Sequence, residues 1–129
     1  MPANVGYHGY PKTVCVAVNH EVCHGIPSPK PLRDGDIINI DVAVIKDGWF
    51  GDTSRMYCVG TPSAAATRLV RTTYDAMCAG IRAVRPGATL GDVGHAIQSV
   101  AHAAGQAAVR QLADGWAVVT RDRSVSVRW

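Results

Sequence analysis

The sequence predicts an α+β chain, an antiparallel sheet covered by two amphipathic helices, and three observations carry that prediction. Ile37 to Val59 reads as two strands joined at Asp47-Gly48. Leu69, Thr73, Met77, Gly80, Ile81 and Val84 recur at the spacing of one helical face. Leu90, Val93, Ile97, Val100, Ala101 and Ala104 do the same in a second segment. With 129 residues, the chain suits one modest domain and is too short for two.

Met1 to Pro11 mixes Tyr7, His8 and Tyr10 with glycines and prolines and reads as a structured loop. Val14, Val16 and Val18 alternate with other residues, which predicts a short strand ending at Asn19. Pro27, Pro29 and Pro31 make His24 to Gly35 a connection of restricted backbone freedom. Ile37 to Ile45 is apolar on both faces except at Asn39 and Asp41, so it should be a largely buried strand. Asp47-Gly48 is a two-residue hairpin signal, and Trp49 to Val59 is the returning strand.

Thr61-Pro62 predicts a helix start, with Thr61 as N-cap and Pro62 in the first helical position. Arg85-Pro86-Gly87 stops that helix. Thr89 and Asp92 form a capping-box variant that opens the next. Past Gly105 the pattern weakens. Gln106 to Gln111 is polar and alanine-rich with no clear face, Trp116 to Thr120 suggests a strand, and Arg121 to Trp129 has no evident partner.

Composition narrows the function classes. Apolar residues make up 47% and charged residues 18%, a globular balance rather than a disordered one. The net charge of +3 is too small for a nucleic-acid footprint. Arg110, Arg121, Arg123 and Arg128 are interrupted by Asp114 and Asp122 and read as a solvated face. Cys15, Cys23, Cys58 and Cys78 lack zinc-knuckle spacing and read as reduced thiols. With no leader-like segment and no membrane-length apolar run, a cytoplasmic protein without a membrane partner is expected.

Asp41 is the most unusual residue. A carboxylate within Ile37–Ile45 needs a cation, a hydrogen-bond network or a proton to offset its burial. With Asp47-Gly48 as the loop, Lys46 pairs with Trp49, Asp52 falls opposite Ala43, and Asp41 opposite Ser54. Asp41 and Asp52 then become diagonal neighbours on one face, with Cβ atoms roughly 6–8 Å apart. Such a pair suits a hard divalent ion such as Mn, Co, Fe or Mg. The alternative is a hairpin whose outer face leaves both carboxylates in water, and a bulge in the loop would reverse the parity.

Beyond the hairpin, ordered motifs resemble a known family. Gly6-Tyr7-His8-Gly9-Tyr10-Pro11-Lys12 is followed by Asn19 to Pro27, ending in Cys23-His24-Gly25-Ile26-Pro27. Next come Asp34-Gly35-Asp36-Ile37-Ile38-Asn39-Ile40-Asp41-Val42 and Asp47-Gly48-Trp49-Phe50-Gly51-Asp52-Thr53-Ser54. Together, from Pro2 to about Gly105, they resemble type I methionine aminopeptidases. The resemblance implies the pita-bread α+β fold. It implies hydrolysis of the initiator methionine from nascent proteins, with two divalent metals (Co, Mn, Fe, Zn or Mg) held by two aspartates, one histidine and two glutamates. It makes Asp41 and Asp52 metal ligands and gives His24 a substrate contact and a share in proton transfer. Tyr7, Tyr10 and Cys15 fall where that family holds the methionine side chain. Read without the family, His24 is more often a hydrogen-bonded structural histidine, the tyrosines simple packing, and Cys15 an inert buried thiol. His95 and His102, seven apart on a helix and so roughly 10 Å along its axis, cannot share one ion.

The resemblance then breaks. After Ala104-Gly105 the family continues into a Gly-His-Gly motif bearing its histidine ligand, and here Gln106 to Gln111 follows instead. Leu112 to Ser124 resembles a much later family segment, in which Trp116 matches a pocket-lining tryptophan. The expected organisation is therefore residues 1–105 as the N-terminal half of the catalytic domain, 106–111 as an unmatched junction and 112–129 as a late remnant. That leaves two of five metal ligands, a chain expected to be inactive alone, and a monomer if folded. A non-catalytic pita-bread relative that binds peptides or proteins is the alternative.

Overall fold

The structure is a computed structural model that describes the backbone of residues 1–111, 115–119 and 126–128, with side chains as far as residue 106. The chain divides into two compact units, Met1–Pro62 and Ser63–Trp129. They are described in turn.

The first unit is a three-stranded antiparallel sheet of β1 (Cys15–Val18), β2 (Ile37–Lys46) and β3 (Trp49–Cys58), in that order. Asp47 and Gly48 both take positive φ, 52° and 82°, as a two-residue turn matched to the twist of its strands requires. The turn fixes the register the sequence predicted, with Lys46 opposite Trp49, Ala43 opposite Asp52 and Asp41 opposite Ser54. No bulge interrupts it.

Burial differs from expectation along β2. Ile37, Ile38 and Asn39 are buried, whereas Asp41 and Val42 are half-buried and Val44 is 44% exposed. A strand that is apolar on both faces stays dry only where both faces are covered. The outer half of β2 runs out into a hairpin whose Trp49 and Phe50 are exposed.

The edge of β2 beyond β1 is covered by the amino terminus. The Ala3 amide donates to Ala43 O at 2.9 Å, the Ile45 amide donates to Met1 O at 2.7 Å, and Pro2 bridges Val44. Tyr7–Gly9 makes one short 3₁₀ turn within the loop expected there. At the other end of β2, Asn19 (φ 53°) fastens the β1–β2 connection. Its side-chain Nδ2 donates to Asp36 Oδ1 at 2.8 Å, and its side-chain oxygen accepts from the Ile37 backbone N–H at 3.1 Å. That donation from Asn19, and next the Arg33 backbone N–H at 2.9 Å, hold the Asp36 carboxyl below its ordinary value.

The second unit opens on α1 (Ala64–Ala83) and α2 (Leu90–Ala103). The start of α1 corrects the sequence reading by two residues: Ser63, not Thr61, is the N-cap, and its hydroxyl accepts the Ala66 amide at 3.1 Å. Thr61 instead gives its backbone N–H to Asp34 Oδ1 at 3.1 Å, and Pro62 lies before the helix. The α1 helix ends before Arg85-Pro86-Gly87, and Thr89 with Asp92 forms the full capping box of α2. The buried residues of α1 are Ala66, Leu69, Thr72, Thr73, Ala76 and Gly80. Ile81, Val84 and Leu90, expected in the apolar stripes, are exposed at 63%, 69% and 90%. The small residues set this face. A Cβ on Gly80 would lie 2.8 Å from Ile97 of α2, so the helices meet where only glycine lets them approach. No helix among the described residues is long and apolar enough to cross a membrane.

A second antiparallel sheet follows, β4 (Ala107–Gln111), β5 (Gly115–Val119) and β6 (Ser126–Arg128), in that order. The strand expected near Trp116 is present. Within the faceless segment 106–111, residues 107–111 form β4 against it, and Ser126–Arg128 finds its partner in β5. Alternation alone could not signal these strands, because their pairing comes from a neighbour rather than from their own pattern.

Candidate metal centre

Strand alternation and the hairpin register build the site. Asp41 lies opposite Ser54, and Asp52 lies two residues further out, opposite Ala43. Asp41, Ala43, Asp52 and Ser54 therefore share one face, and the two carboxylates are diagonal cross-strand neighbours. Across the other ladder, Cys15 is directly opposite Asp41 and belongs to the same face. Asn39, two residues before Asp41 on this face, is buried and accepts from Ser54 Oγ at 2.9 Å.

Tyr10 joins this group from the amino-terminal loop. Burial, then a hydrogen bond with Cys15, then the negative charge of Cys15 and of Asp41 push its hydroxyl above the ordinary value of 10.0. The phenol thus stays protonated and acts as a donor. It lies 2.8 Å from Gly25 O and 3.1 Å from Val14 O. Asn4, not singled out from the sequence, approaches the Cys15 sulfur at 3.7 Å through its side-chain nitrogen. No short-range pattern could have flagged it, since eleven residues separate the two.

His24 precedes the Gly25 that Tyr10 holds, and it has a left-handed backbone, φ 52°. The Val16 amide donates to Gly25 O at 2.9 Å, so the His24-Gly25 loop lies along the free edge of β1. A Cβ on Gly25 would overlap Val16 O, which makes glycine obligatory there. His24 itself is exposed.

The structure thus brings Tyr10, Cys15, Asp41 and Asp52 to one region of one sheet. It does not bring Tyr7 into an enclosed pocket: that side chain is 70% exposed and stands edge-on to His8 at 4.4 Å. The side chain of Trp116 lies outside those described. His95 and His102 are exposed on α2.

The donor set is incomplete for a pair of metals. Two like carboxylates on one face are a fair match for one hard cation. Among the described residues, however, no group of three or more His, Cys, Asp and Glu could hold an ion. Glu21 is the single glutamate of all 129 residues. Its Oε2 accepts from the Val18 amide at 2.8 Å. The five-ligand set therefore does not fit this chain.

Residues 2–120 match metallopeptidase family M24. The chain belongs to this family. Within M24 it is 58% identical over 110 residues to a methionine aminopeptidase of Rickettsia prowazekii, a match covering 85% of this chain and 42% of the relative. A methionine aminopeptidase of Escherichia coli K12 is 52% identical over 112 residues, covering 86% and 42%. The crystal structure of the Rickettsia prowazekii methionine aminopeptidase superposes with a TM-score of 0.87 at 41% identity, covering 98% of this chain and 71% of that one. The fold is the pita-bread fold of these enzymes. This M24 chain spans about two fifths of the length of the curated relatives it matches.

Proposed function

We propose that this chain carries part of a metal-dependent methionine aminopeptidase, a cytoplasmic hydrolase that removes the initiator methionine from nascent proteins. Residues 1–105 correspond to the N-terminal half of its catalytic domain, 106–111 to a junction and 112–129 to a late segment. The observation that carries the reading is the placement of Asp41 and Asp52 on one face, with Cys15 opposite Asp41 and Tyr10 beside it.

In this reading Asp41 and Asp52 supply two ligands toward divalent ions (Co, Mn, Fe, Zn or Mg), two ions per intact site. Held by a full ligand set, which this chain alone lacks, such ions would supply an activated water and a Lewis acid for the scissile carbonyl. Tyr10 and Cys15 line the side of the site that takes the thioether, a small half-buried surface of a kind that suits methionine; Tyr7 and Trp116 are assigned to that pocket by the family resemblance alone. His24 contacts the peptide and moves a proton. The chain by itself provides too few ligands to hold a metal pair.

Two measurements test this. Mn²⁺ titrated into the labelled chain should broaden NMR signals around Asp41 and Asp52, and Asp52→Asn should abolish the effect. Broadening centred elsewhere defeats the assignment. Supplied with Mn or Co and a Met-Ala peptide, the chain should show little or no turnover; a rate near that of an intact enzyme defeats the claim that the ligand set is insufficient.

One observation favours a second reading, a non-catalytic relative that binds peptides or proteins: among the described residues no group of three or more His, Cys, Asp and Glu could hold an ion. That reading requires peptide binding that EDTA leaves unchanged.

A further inference from the structure

The first unit contains two Asp-Gly pairs, Asp34-Gly35 and Asp47-Gly48. Glycine carries no side chain beside its backbone nitrogen, so in such a pair that nitrogen can reach the preceding carboxyl group. Both aspartates are exposed, and burial does not separate them. Their hydrogen bonds do.

Asp34-Gly35 is held at both reacting ends. Asp34 Oδ1 accepts the Thr61 backbone N–H at 3.1 Å, and a Cβ on Gly60 would overlap that same oxygen. The Gly35 N–H donates to Val59 O at 2.8 Å. Carboxyl and nitrogen cannot meet until both bonds break.

Asp47-Gly48, at the tip of the β2–β3 hairpin, has no such restraint. Among the described residues, no hydrogen bond engages the Asp47 carboxylate or the Gly48 N–H. A Cβ built on Gly48 would meet no atom within 4 Å, so nothing crowds the pair. The hairpin holds Asp47 at φ 52°, a left-handed conformation disfavoured for an L-residue, and opening the tip relieves it.

We propose that Asp47-Gly48 is a site of spontaneous aspartate isomerisation, from which Asp34-Gly35 is protected by its hydrogen bonds. The Gly48 backbone nitrogen attacks Asp47 Cγ. The N–Cγ bond forms, a Cγ–O bond breaks, and that oxygen leaves as water with the amide proton and the carboxyl proton. The product is a cyclic succinimide. Water then adds to one of its two carbonyl carbons. Addition at Cγ restores aspartate. Addition at the Asp47 backbone carbon breaks its bond to the Gly48 nitrogen, and the chain continues through Cβ and Cγ as isoaspartate. No oxidant or further reactant enters.

The consequence falls on the register. Isoaspartate inserts a methylene into the main chain between Lys46 and Trp49, so the turn no longer matches the twist of its strands. The pairing that sets Asp41 and Asp52 on one face depends on that turn. The reaction itself is independent of the peptidase reading.

The test incubates the full chain at neutral pH in heavy-oxygen water, folded and, in parallel, unfolded in urea. Peptide mapping then reads heavy-oxygen uptake and isoaspartate at each pair. Each folded rate is divided by the rate of the same pair in urea, which removes differences between the flanking residues. On that scale Asp47 should convert faster than Asp34 by on the order of tenfold, because two hydrogen bonds must first break at Asp34-Gly35. Converted chain, separated from its parent, should show faster amide exchange along β2 and β3. Equal scaled rates at the two pairs overturn the proposal. So does a folded chain in which neither pair converts while both convert in urea. An exchange pattern that conversion leaves unchanged overturns the effect on the register.

Discussion

The Tyr10 hydroxyl stands 2.8 Å from the carbonyl oxygen of Gly25, fifteen residues away, and so ties the amino-terminal loop to the loop that carries His24. Gly25 also accepts the Val16 amide, so one peptide joins three segments. Tyr10→Phe removes the hydroxyl and keeps the ring. The expected cost is about 1 kcal/mol of stability, with faster amide exchange from Cys23 to Pro27. Thermal melts and hydrogen exchange read the two effects, and an unchanged exchange pattern would show that the tie does not hold the loop.

The same phenol gives a base-side prediction. Its proton is held more tightly in the folded chain than at the ordinary value of 10.0, first because of burial and then because of Cys15 and Asp41. A group raised in this way contributes fully below pH 10 and loses that contribution as the pH climbs above it. Stability should therefore fall on alkalinisation beyond pH 10, and less so in Tyr10→Phe. Denaturant midpoints across that range measure the difference.

On the acid side the sign reverses. Asp36 and Asp92 are both held below 3.8, Asp36 first by Asn19 and Asp92 first by the Thr89 backbone amide. Groups depressed in the fold contribute above their unfolded value and lose that contribution as the pH drops through the folded one. Melting temperatures should decline below pH 4, and Asp92→Asn should flatten part of the decline. An acid limb identical in wild type and variant would remove Asp92 from the account.

Gly25→Ala should be far more damaging than an ordinary surface change. Its new methyl would overlap Val16 O, so either the loop or β1 must move. A cost of about 1–3 kcal/mol is expected, together with altered His24 chemical shifts. Ala substituted at exposed Gly87, where no atom lies within 4 Å, is the comparison, since it carries backbone strain without a clash.

Thr89→Ala removes the hydroxyl that accepts the Asp92 amide at 3.2 Å at the head of α2. About 1 kcal/mol should be lost, measured as a shift in the thermal midpoint.

Residues close in sequence made their own structure legible. Asp47-Gly48 fixed a two-residue turn, the turn fixed the register, and the register put Asp41 and Asp52 on one face. Thr89 and Asp92 announced a cap three residues long. Features that depend on distant partners were not legible. Thr61 has the chemistry of a helix cap, yet its backbone N–H is bonded to Asp34, twenty-seven residues earlier, and Ser63 is the cap. The face of α1 was misjudged because alanines, threonine and glycine, rather than the bulkier Ile81 and Val84, make the close contact. Segment 107–111 lacks a strand pattern and is made a strand by Gly115–Val119. At the site, the contribution of Asn4 and the hold of Tyr10 on Gly25 both required chain segments to meet in space.

The brevity of the bend between Lys46 and Trp49 carries a constraint on change over generations. Lengthening it by a single codon would turn Asp52 away from Asp41 while altering none of the residues that give either strand its character. Lineages that keep the two acids paired can therefore extend this bend in steps of two, and an odd-length bend would set the carboxylates on opposite faces unless a bulge restored the parity.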